Sequence, residues 1–140
     1  MHNYRELILW RKTRSLVKKV YQLLPELPEI ERYGLRSQIG RSAISIPSNI
    51  AEGAGRNSNK EFVKFLSIAQ GSSYELATQL YLATDLGYFK MSSLEELFSD
   101  LDEIQKINRT LQNKFQTVLD AKLQILLKKQ LTQQTLMLYL

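Results

Sequence analysis

Basic side chains are concentrated in the first 24 residues, at spacings that place several of them on one helical surface. That segment carries six cations against a single acidic residue, Glu6; the cations are Arg5, Arg11, Lys12, Arg14, Lys18 and Lys19. Lysines and arginines grouped in this way attract phosphates independently of base sequence. These residues could therefore bind phosphate groups. The alternative interpretation is that they form a solvated face whose only effect is to keep the protein in solution.

The predicted nucleic-acid contacts include three arginines further along the chain. Residues 1–64 carry a net charge of +6 and residues 65–140 a net charge of −1, so the basic character belongs to the first half. The full set of predicted contacts is Arg11, Lys12, Arg14, Lys18, Lys19, Arg36, Arg41 and Arg56. A pI of about 9.5 with clustering on one helix is typical of nucleic-acid binding, although no base-reading motif accompanies it.

Residues suited to catalysis are few. The chain has no cysteine, and its single histidine, His2, stands at an end that we expect to fray, where it would be a poor general base. Glu52 and Glu75 could form an acid/base pair or half of a carboxylate metal site, but the Glu-x-x-His motif of di-iron bundles is absent. We favour a structural network in which Arg36 or Arg41 neutralises a glutamate. The prediction is no enzyme activity, no cofactor and no metal.

Four amphipathic helices must position these side chains. Side chains suited to a core recur at three and four positions over residues 3–24 and predict one buried stripe on the first helix: Leu7, Trp10, Thr13, Val17, Val20, Tyr21 and Leu24. A second helix is predicted over 35–54. Capping boxes at 58–61 and 92–95 predict the starts of a third and a fourth helix. Short connections then predict an all-α, antiparallel up-down-up-down four-helix bundle.

The second helix is built of small residues and contains an internal proline. Pro47 lacks the N–H that would bond the carbonyl of Ala43, so we predict a kink there, with nearby serines and an asparagine bonding the freed carbonyls. A stripe of glycine, alanine and proline on this helix matches the small residues 69–73 of the third helix. The two helices are therefore expected to approach each other closely.

The chain reads as one bundle domain over residues 1–120, followed by a different segment over 121–140. That last segment is rich in leucine and has three lysines and no acid, and it either prolongs the fourth helix or forms a tail that docks on another subunit. No signal peptide and no membrane-spanning run is visible, so a cytoplasmic location is expected.

RSAISIPSNIAEGAGR, followed by KEFVKFLSIAQGSSYELATQLYLATDLGY, resembles the four-helix-bundle proteins encoded in intervening sequences of bacterial large-subunit ribosomal RNA genes. Those proteins are similar to the accessory proteins of diversity-generating retroelements. LILWRKTRSLVKKVYQLL and LPEIERYGL fit the same pattern, so the resemblance covers about residues 7–119. It implies an antiparallel bundle, a homopentameric barrel, a basic surface that contacts nucleic acid, and no enzyme activity.

The expected function is that of a non-enzymatic, oligomeric nucleic-acid-binding protein, with RNA as the expected ligand. The alternative is a protein-interaction scaffold or an accessory subunit, for example of a reverse transcriptase. A ribonuclease is disfavoured because His2 is the only histidine available.

Overall fold

The computed structural model describes residues 1–139, which form four α-helices and contain no β-strand. The helices are α1 (Ile8–Leu23), α2 (Leu35–Gly55), α3 (Asn59–Asp85) and α4 (Met91–Leu138). Short 3-10 turns precede α1 and connect α1 to α2, at Tyr4–Glu6, Leu24–Glu26 and Glu29–Glu31. The prediction of an all-α protein with four helices is confirmed.

The four helices share one hydrophobic core. Each helix packs against its neighbours along the chain, and α4 also packs against α1; within residues 1–139, the backbones of α1 and α3 stay further apart, with no two Cα atoms within 8 Å. Leucines and isoleucines from every helix, such as Leu16, Ile46, Leu66 and Leu101, are almost fully buried in this core. The chain is therefore a helical bundle.

The sequence signals for helix starts succeed at α3 and fail at α4. Ser58 precedes α3, and its hydroxyl oxygen accepts a hydrogen bond from the backbone N–H of Glu61 at 3.1 Å. α4 instead begins at Met91, with Lys90 before it and no side-chain cap. The prediction that Ser92 caps this helix is wrong, because a cap at Ser92 would start the helix at Ser93, whereas it starts two residues earlier and Ser92 lies inside its first turn.

The end of α3 is closed by a glycine in the left-handed region. Gly87 has a φ of +78°, and its N–H donates to the carbonyl of Thr84 at 2.9 Å. The next N–H, of Tyr88, reaches back to the carbonyl of Ala83, also at 2.9 Å. These two bonds form a Schellman motif, which satisfies carbonyls that the helix end would otherwise leave free.

The buried face of α1 differs from the predicted stripe. Its fully buried residues are Leu9, Thr13, Leu16 and Val20. Thr13 and Val20 are therefore buried as predicted, whereas Leu7, Trp10 and Val17 of the predicted stripe are only partly buried against the core. Leu9 and Leu16 are buried although they lie outside that stripe. The reason is that α1 contacts both α2 and α4, so apolar residues are needed on two adjoining sides and spacing alone does not tell which side is deeper.

Small residues let α2 and α3 approach closely, but not at every position and not along the whole predicted stripe, since Gly40 and Pro47 of that stripe lie beside α1 and its connection. A Cβ atom added to Gly53 would lie 2.5 Å from the Cβ of Phe65 on α3. The hydroxyl groups of Ser45 and Ser72 are hydrogen-bonded across the contact at 2.8 Å. Gly71 is the exception, since it is exposed and a Cβ there would meet no atom within 4 Å.

Pro47 lies inside α2, which continues through it. The hydroxyl of Ser48 donates to the carbonyl of Ile44, and the amide of Asn49 donates to the carbonyl of Ser45, both at 2.8 Å. The predicted side chains therefore bond backbone carbonyls near the proline. They reach the carbonyls of Ile44 and Ser45, whereas the carbonyl that Pro47 leaves without its usual N–H donor is that of Ala43.

α4 is much longer than the other helices. Its 48 residues correspond to a rod of about 72 Å, against about 40 Å for the 27 residues of α3. The last fully buried residue of α4 is Asn108, and residues 120–139 are exposed. Leu140, the last residue of the predicted C-terminal segment, lies outside the described residues.

Candidate nucleic-acid interface

Three of the predicted contacts lie together on the exposed side of α1. Arg11, Arg14 and Lys18 line a shallow groove of about 370 Å³ together with Ser15. None of the three cations forms a salt bridge with any residue from 1 to 139. The guanidinium of Arg14 also lies over the ring of Trp10, 5.4 Å from its centroid. We call Arg11, Arg14, Ser15 and Lys18 the basic groove.

The other two lysines of α1 point toward α4 and are paired there. Lys12 lies 2.8 Å from Glu103, and Lys19 lies 2.7 Å from Asp100 and 2.6 Å from Glu96. Hydrogen bonds to Asp100 and then to Glu96 raise the pKa of Lys19 above its usual value. These two lysines join α1 to α4, and their charge is largely compensated within the chain.

Arg36 stabilises the connection between α1 and α2. It donates a hydrogen bond to the carbonyl of Leu27, and its guanidinium lies 3.8 Å from Glu29. Glu31 turns toward the start of α2, where its carboxylate accepts the N–H of Leu35 at 2.7 Å. The acidic connection is therefore engaged with α2 and its own loop, which leaves the basic groove of α1 free of these carboxylates.

Arg41 and Arg56 are separated from each other along α2. Arg41 is exposed and lies one turn before Ile44, on the same face of the helix as Ile44 and Ser48. That face borders α1. Arg56, by contrast, ends α2 and forms a salt bridge of 2.9 Å with Glu52. Among the three arginines outside α1 that were predicted to contact nucleic acid, only Arg41 is exposed, forms no salt bridge within residues 1–139 and lies beside α1.

A second, apolar groove of about 440 Å³ runs between α1 and α2 beside the basic one. Its lining residues are Tyr4, Trp10, Arg14, Val17, Ile44, Pro47, Ser48 and Ala51. Arg14 lines both grooves. Spacing in the sequence did not reveal the part played by Ile44 and Pro47, because that depends on which face of α2 lies beside α1. We call this set the apolar groove.

The polar residues between α2 and α3 form a network that differs from the predicted one. The buried amide of Gln79 accepts a hydrogen bond from Ser42 at 2.9 Å and donates to Glu75 at 3.4 Å. Glu75 and Glu52 are both exposed, and neither Arg41 nor Arg36 pairs with them in the described part of the chain. The prediction that Arg36 or Arg41 neutralises one of these glutamates is wrong, because Glu52 pairs with Arg56 instead and the exposed Glu75 is stabilised by water and by the amide of Gln79.

His2 is held in place and does not fray. Its backbone N–H donates to the carbonyl of Ala54 at 2.7 Å, and its ring centroid lies 4.9 Å from those of both Phe62 and Phe115. This contact corrects the expectation of a mobile N-terminus.

Residues 1–139 contain no group of three or more His, Cys, Asp or Glu side chains that could hold a metal ion. No helix in the same range is both long and apolar enough to cross a membrane.

The fold places this chain among the small helical bundle proteins. Residues 5–110 match the family described as 23S rRNA-intervening sequence protein, and the chain therefore belongs to that family. A similar solved structure is a protein of unknown function from the S23 ribosomal protein family of Bacteroides thetaiotaomicron. It is 26% identical, with a TM-score of 0.69, over 74% of this chain and 97% of that one. No curated protein is significantly similar to the chain.

Proposed function

We propose that this protein is a non-enzymatic nucleic-acid-binding bundle that acts as a homo-oligomer, with RNA as its ligand. The observation that carries the proposal is the basic groove. Arg11, Arg14 and Lys18 converge there without a salt bridge in residues 1–139, whereas Lys12 and Lys19 on the same helix are paired. Unpaired exposed cations retain their full attraction for phosphates.

The contact set of the proposal is narrower than the set predicted from the sequence. It is centred on Arg14 and Lys18, with Arg11 and Arg41 beside them. Lys12, Lys19, Arg36 and Arg56 are assigned to intramolecular pairing. The name of the family, which refers to an intervening sequence in 23S ribosomal RNA, supports RNA as the ligand class.

The test is a filter-binding titration at several salt concentrations with the variant Arg14→Gln/Lys18→Gln. The RNA probes are a 23S ribosomal RNA fragment and an unrelated RNA of equal length. The slope of log K against log salt is negative, and each lost phosphate contact should reduce its magnitude by about 0.7 for single-stranded RNA, so we expect the variant's slope to be less steep by roughly 1.4. Arg11 is left unchanged because its guanidinium also donates to the carbonyl of Arg5 at 2.9 Å.

The matched control is Lys60→Gln/Lys64→Gln. Both lysines are exposed on α3, no Cα atom of which lies within 8 Å of a Cα atom of α1, and the control removes the same charge as the test variant. We expect the control to keep the slope and affinity of the unchanged protein. Equal losses in both variants would show that only net charge matters, and salt-insensitive binding would contradict the electrostatic mechanism.

The proposed homo-oligomer is a pentamer, and the surface proposed to join its subunits is the apolar groove. Half-buried Trp10 and exposed Ile44 leave an apolar surface beside charged residues, as at protein–protein contacts. Sedimentation velocity of Ile44→Glu should give a smaller assembly than the unchanged protein. Thr78→Glu, at an exposed position of α3, serves as the control and should leave the size of the assembly unchanged. If the unchanged protein is a monomer at micromolar concentration, the proposal is refuted.

We also propose that the helices run up, down, up and down, and that α2 bends at Pro47. Two ion pairs support the antiparallel direction of α1 and α4, because Lys12 faces Glu103 while Lys19 faces Asp100. Proline inside a helix removes a hydrogen bond and crowds the preceding turn, which supports the bend.

The proposed function also includes a cytoplasmic location for the protein.

A further inference from the structure

The C-terminal part of α4 is a long helix without a partner. Residues 116–138, which we call the C-terminal rod, extend over about 35 Å beyond the last contacts with the core. Large apolar side chains on it are open to solvent; Leu123 is 55%, Leu126 58% and Leu131 63% exposed. The rod also lies outside the residues that match the family.

Four apolar residues and two glutamines of the rod fall at the spacing of a coiled coil, while other apolar residues such as Leu127 and Leu131 lie beside this row. Steps of four and three residues connect one row along its surface, which we call the seam: Leu119, Leu123, Leu126, Gln130, Gln133 and Met137. Such a row stays on one side of a helix and fits against another helix with the same repeat. The core-facing row of α4 does not supply this seam, because its own continuation runs through Lys122 and Lys129.

The two glutamines indicate what lies opposite the seam. A primary amide has both donors and an acceptor, so the amides of Gln130 and Gln133 can bond the same amides on an identical helix. Polar residues inside such a seam fix the register of self-association in coiled coils. An arbitrary apolar partner would leave these amides without hydrogen bonds at a cost.

The remaining sides of the rod argue against a membrane surface as the partner. A helix that lies on a membrane has a strongly charged polar face. The side opposite the seam carries Thr117, Gln124 and Thr135, which are uncharged, and one lysine, Lys128.

We infer that the C-terminal rod packs through its seam against the same segment of a second copy of this chain. This contact is separate from the basic groove and the apolar groove, so it does not depend on the proposed function. It gives the protein a second self-association surface at the far end of α4.

The test places a photo-crosslinking amino acid at Gln130 in the full chain, mixed with isotope-labelled chain. The control carries it at Lys128, two residues away and on the opposite side of the helix. We expect mass spectrometry to find cross-links from position 130 into residues 116–139 of another copy, with far fewer from position 128. Cross-links from position 130 that stay within one chain, or that reach only residues 1–115 of another copy, would overturn the inference.

A pair of variants measures the strength of the contact. Leu123→Glu/Leu126→Glu places two charges in the seam, whereas Gln124→Glu/Thr135→Glu adds the same charges on the opposite side. Losing the burial of two leucines should raise the concentration needed for the cross-link from position 130 by roughly a hundredfold or more. The second variant should leave that concentration unchanged, and equal responses of the two variants would contradict a specific seam.

Two further measurements separate this contact from other roles. Flotation with vesicles of anionic phospholipid should show no binding that depends on Leu123 and Leu126. Such binding without a cross-link between copies would overturn the inference in favour of a membrane surface. RNA binding by the Leu123→Glu/Leu126→Glu variant should persist, since the basic groove is untouched, whereas its loss would show that the rod is not a separate surface.

Discussion

Gly53 lies where α2 and α3 come closest, and replacing it with alanine tests how that contact stabilises the bundle. The added Cβ would lie 2.5 Å from the Cβ of Phe65 and 3.2 Å from a ring carbon of Phe62. The Cβ of Phe65 is attached directly to the backbone of α3, so a change of rotamer cannot move it away. The two helices must therefore separate locally.

The expected magnitude follows from two opposing terms. Alanine gains at most about 1 kcal/mol over glycine from helix propensity. Overpacking a tight core costs about 1–3 kcal/mol, and the rigid clash at Phe65 favours the upper end. We expect Gly53→Ala to lower the free energy of unfolding by about 2 kcal/mol. For a chain of this size that corresponds to a fall in Tm of roughly 4–8 °C.

Gly71 provides the matched control. It lies inside α3, is exposed, and a Cβ there would meet no atom within 4 Å. Gly71→Ala should therefore raise the free energy of unfolding by about 0.5–1 kcal/mol, through helix propensity alone. The same chemical change is expected to have opposite signs at the two sites.

The measurement is urea unfolding followed by circular dichroism at a fixed protein concentration. It is repeated at a second concentration, because self-association would add to the apparent stability. A Gly53→Ala protein as stable as the unchanged one would refute the close approach of α2 and α3. Destabilisation by both alanines would point to a general intolerance of helix glycines and against the packing argument.

Three further outcomes are expected in the same unfolding assay. Ser58→Ala should cost about 1 kcal/mol because it removes the cap of α3, whereas Ser92→Ala should stay within about 0.5 kcal/mol because its side chain caps nothing; equal effects would contradict the assigned start of α4. Lys19→Met should cost up to about 1 kcal/mol. The pKa of Lys19 is raised in the folded protein, so the stability that its ion pairs contribute is full below pH 10.5 and is lost as the pH rises through the raised value. A stability difference between the unchanged protein and Lys19→Met that persists at higher pH would argue against the ion pairs. Asn108→Ala should cost about 1–3 kcal/mol, since its buried amide donates to the carbonyl of Leu66 at 3.0 Å, and an effect near zero would mean that water replaces this bond.

The sequence specified the helices because their signals are local. Three- and four-residue spacing identified four helices, and α2 buries Ile39, Ala43, Ile46 and Ile50 at that spacing. The cap at Ser58 was recognised because a capping box acts within four residues. The start of α4 was misplaced because serines at 92 and 93 look like caps whether or not the chain uses them.

The candidate site could be outlined from the sequence but not refined. Clustering of charge identified α1, since net charge needs no geometry. Spacing did not distinguish Arg14 and Lys18, which have no salt bridge within residues 1–139, from Lys12 and Lys19, which pair with α4. The partners of these lysines lie more than 75 residues away in the chain, beyond the reach of any local pattern.

The amino-acid sequence alone determined the all-helical class, the family pattern around Pro47 and the basic character of the first helix. All three depend on residue type and short-range spacing. Only the tertiary structure decided which cations remain unpaired, where Gly53 meets Phe65, and that the leucines of the C-terminal rod have no partner within residues 1–139. Pairing, close contact and burial are properties of two segments at once, and they exist only after the helices have packed.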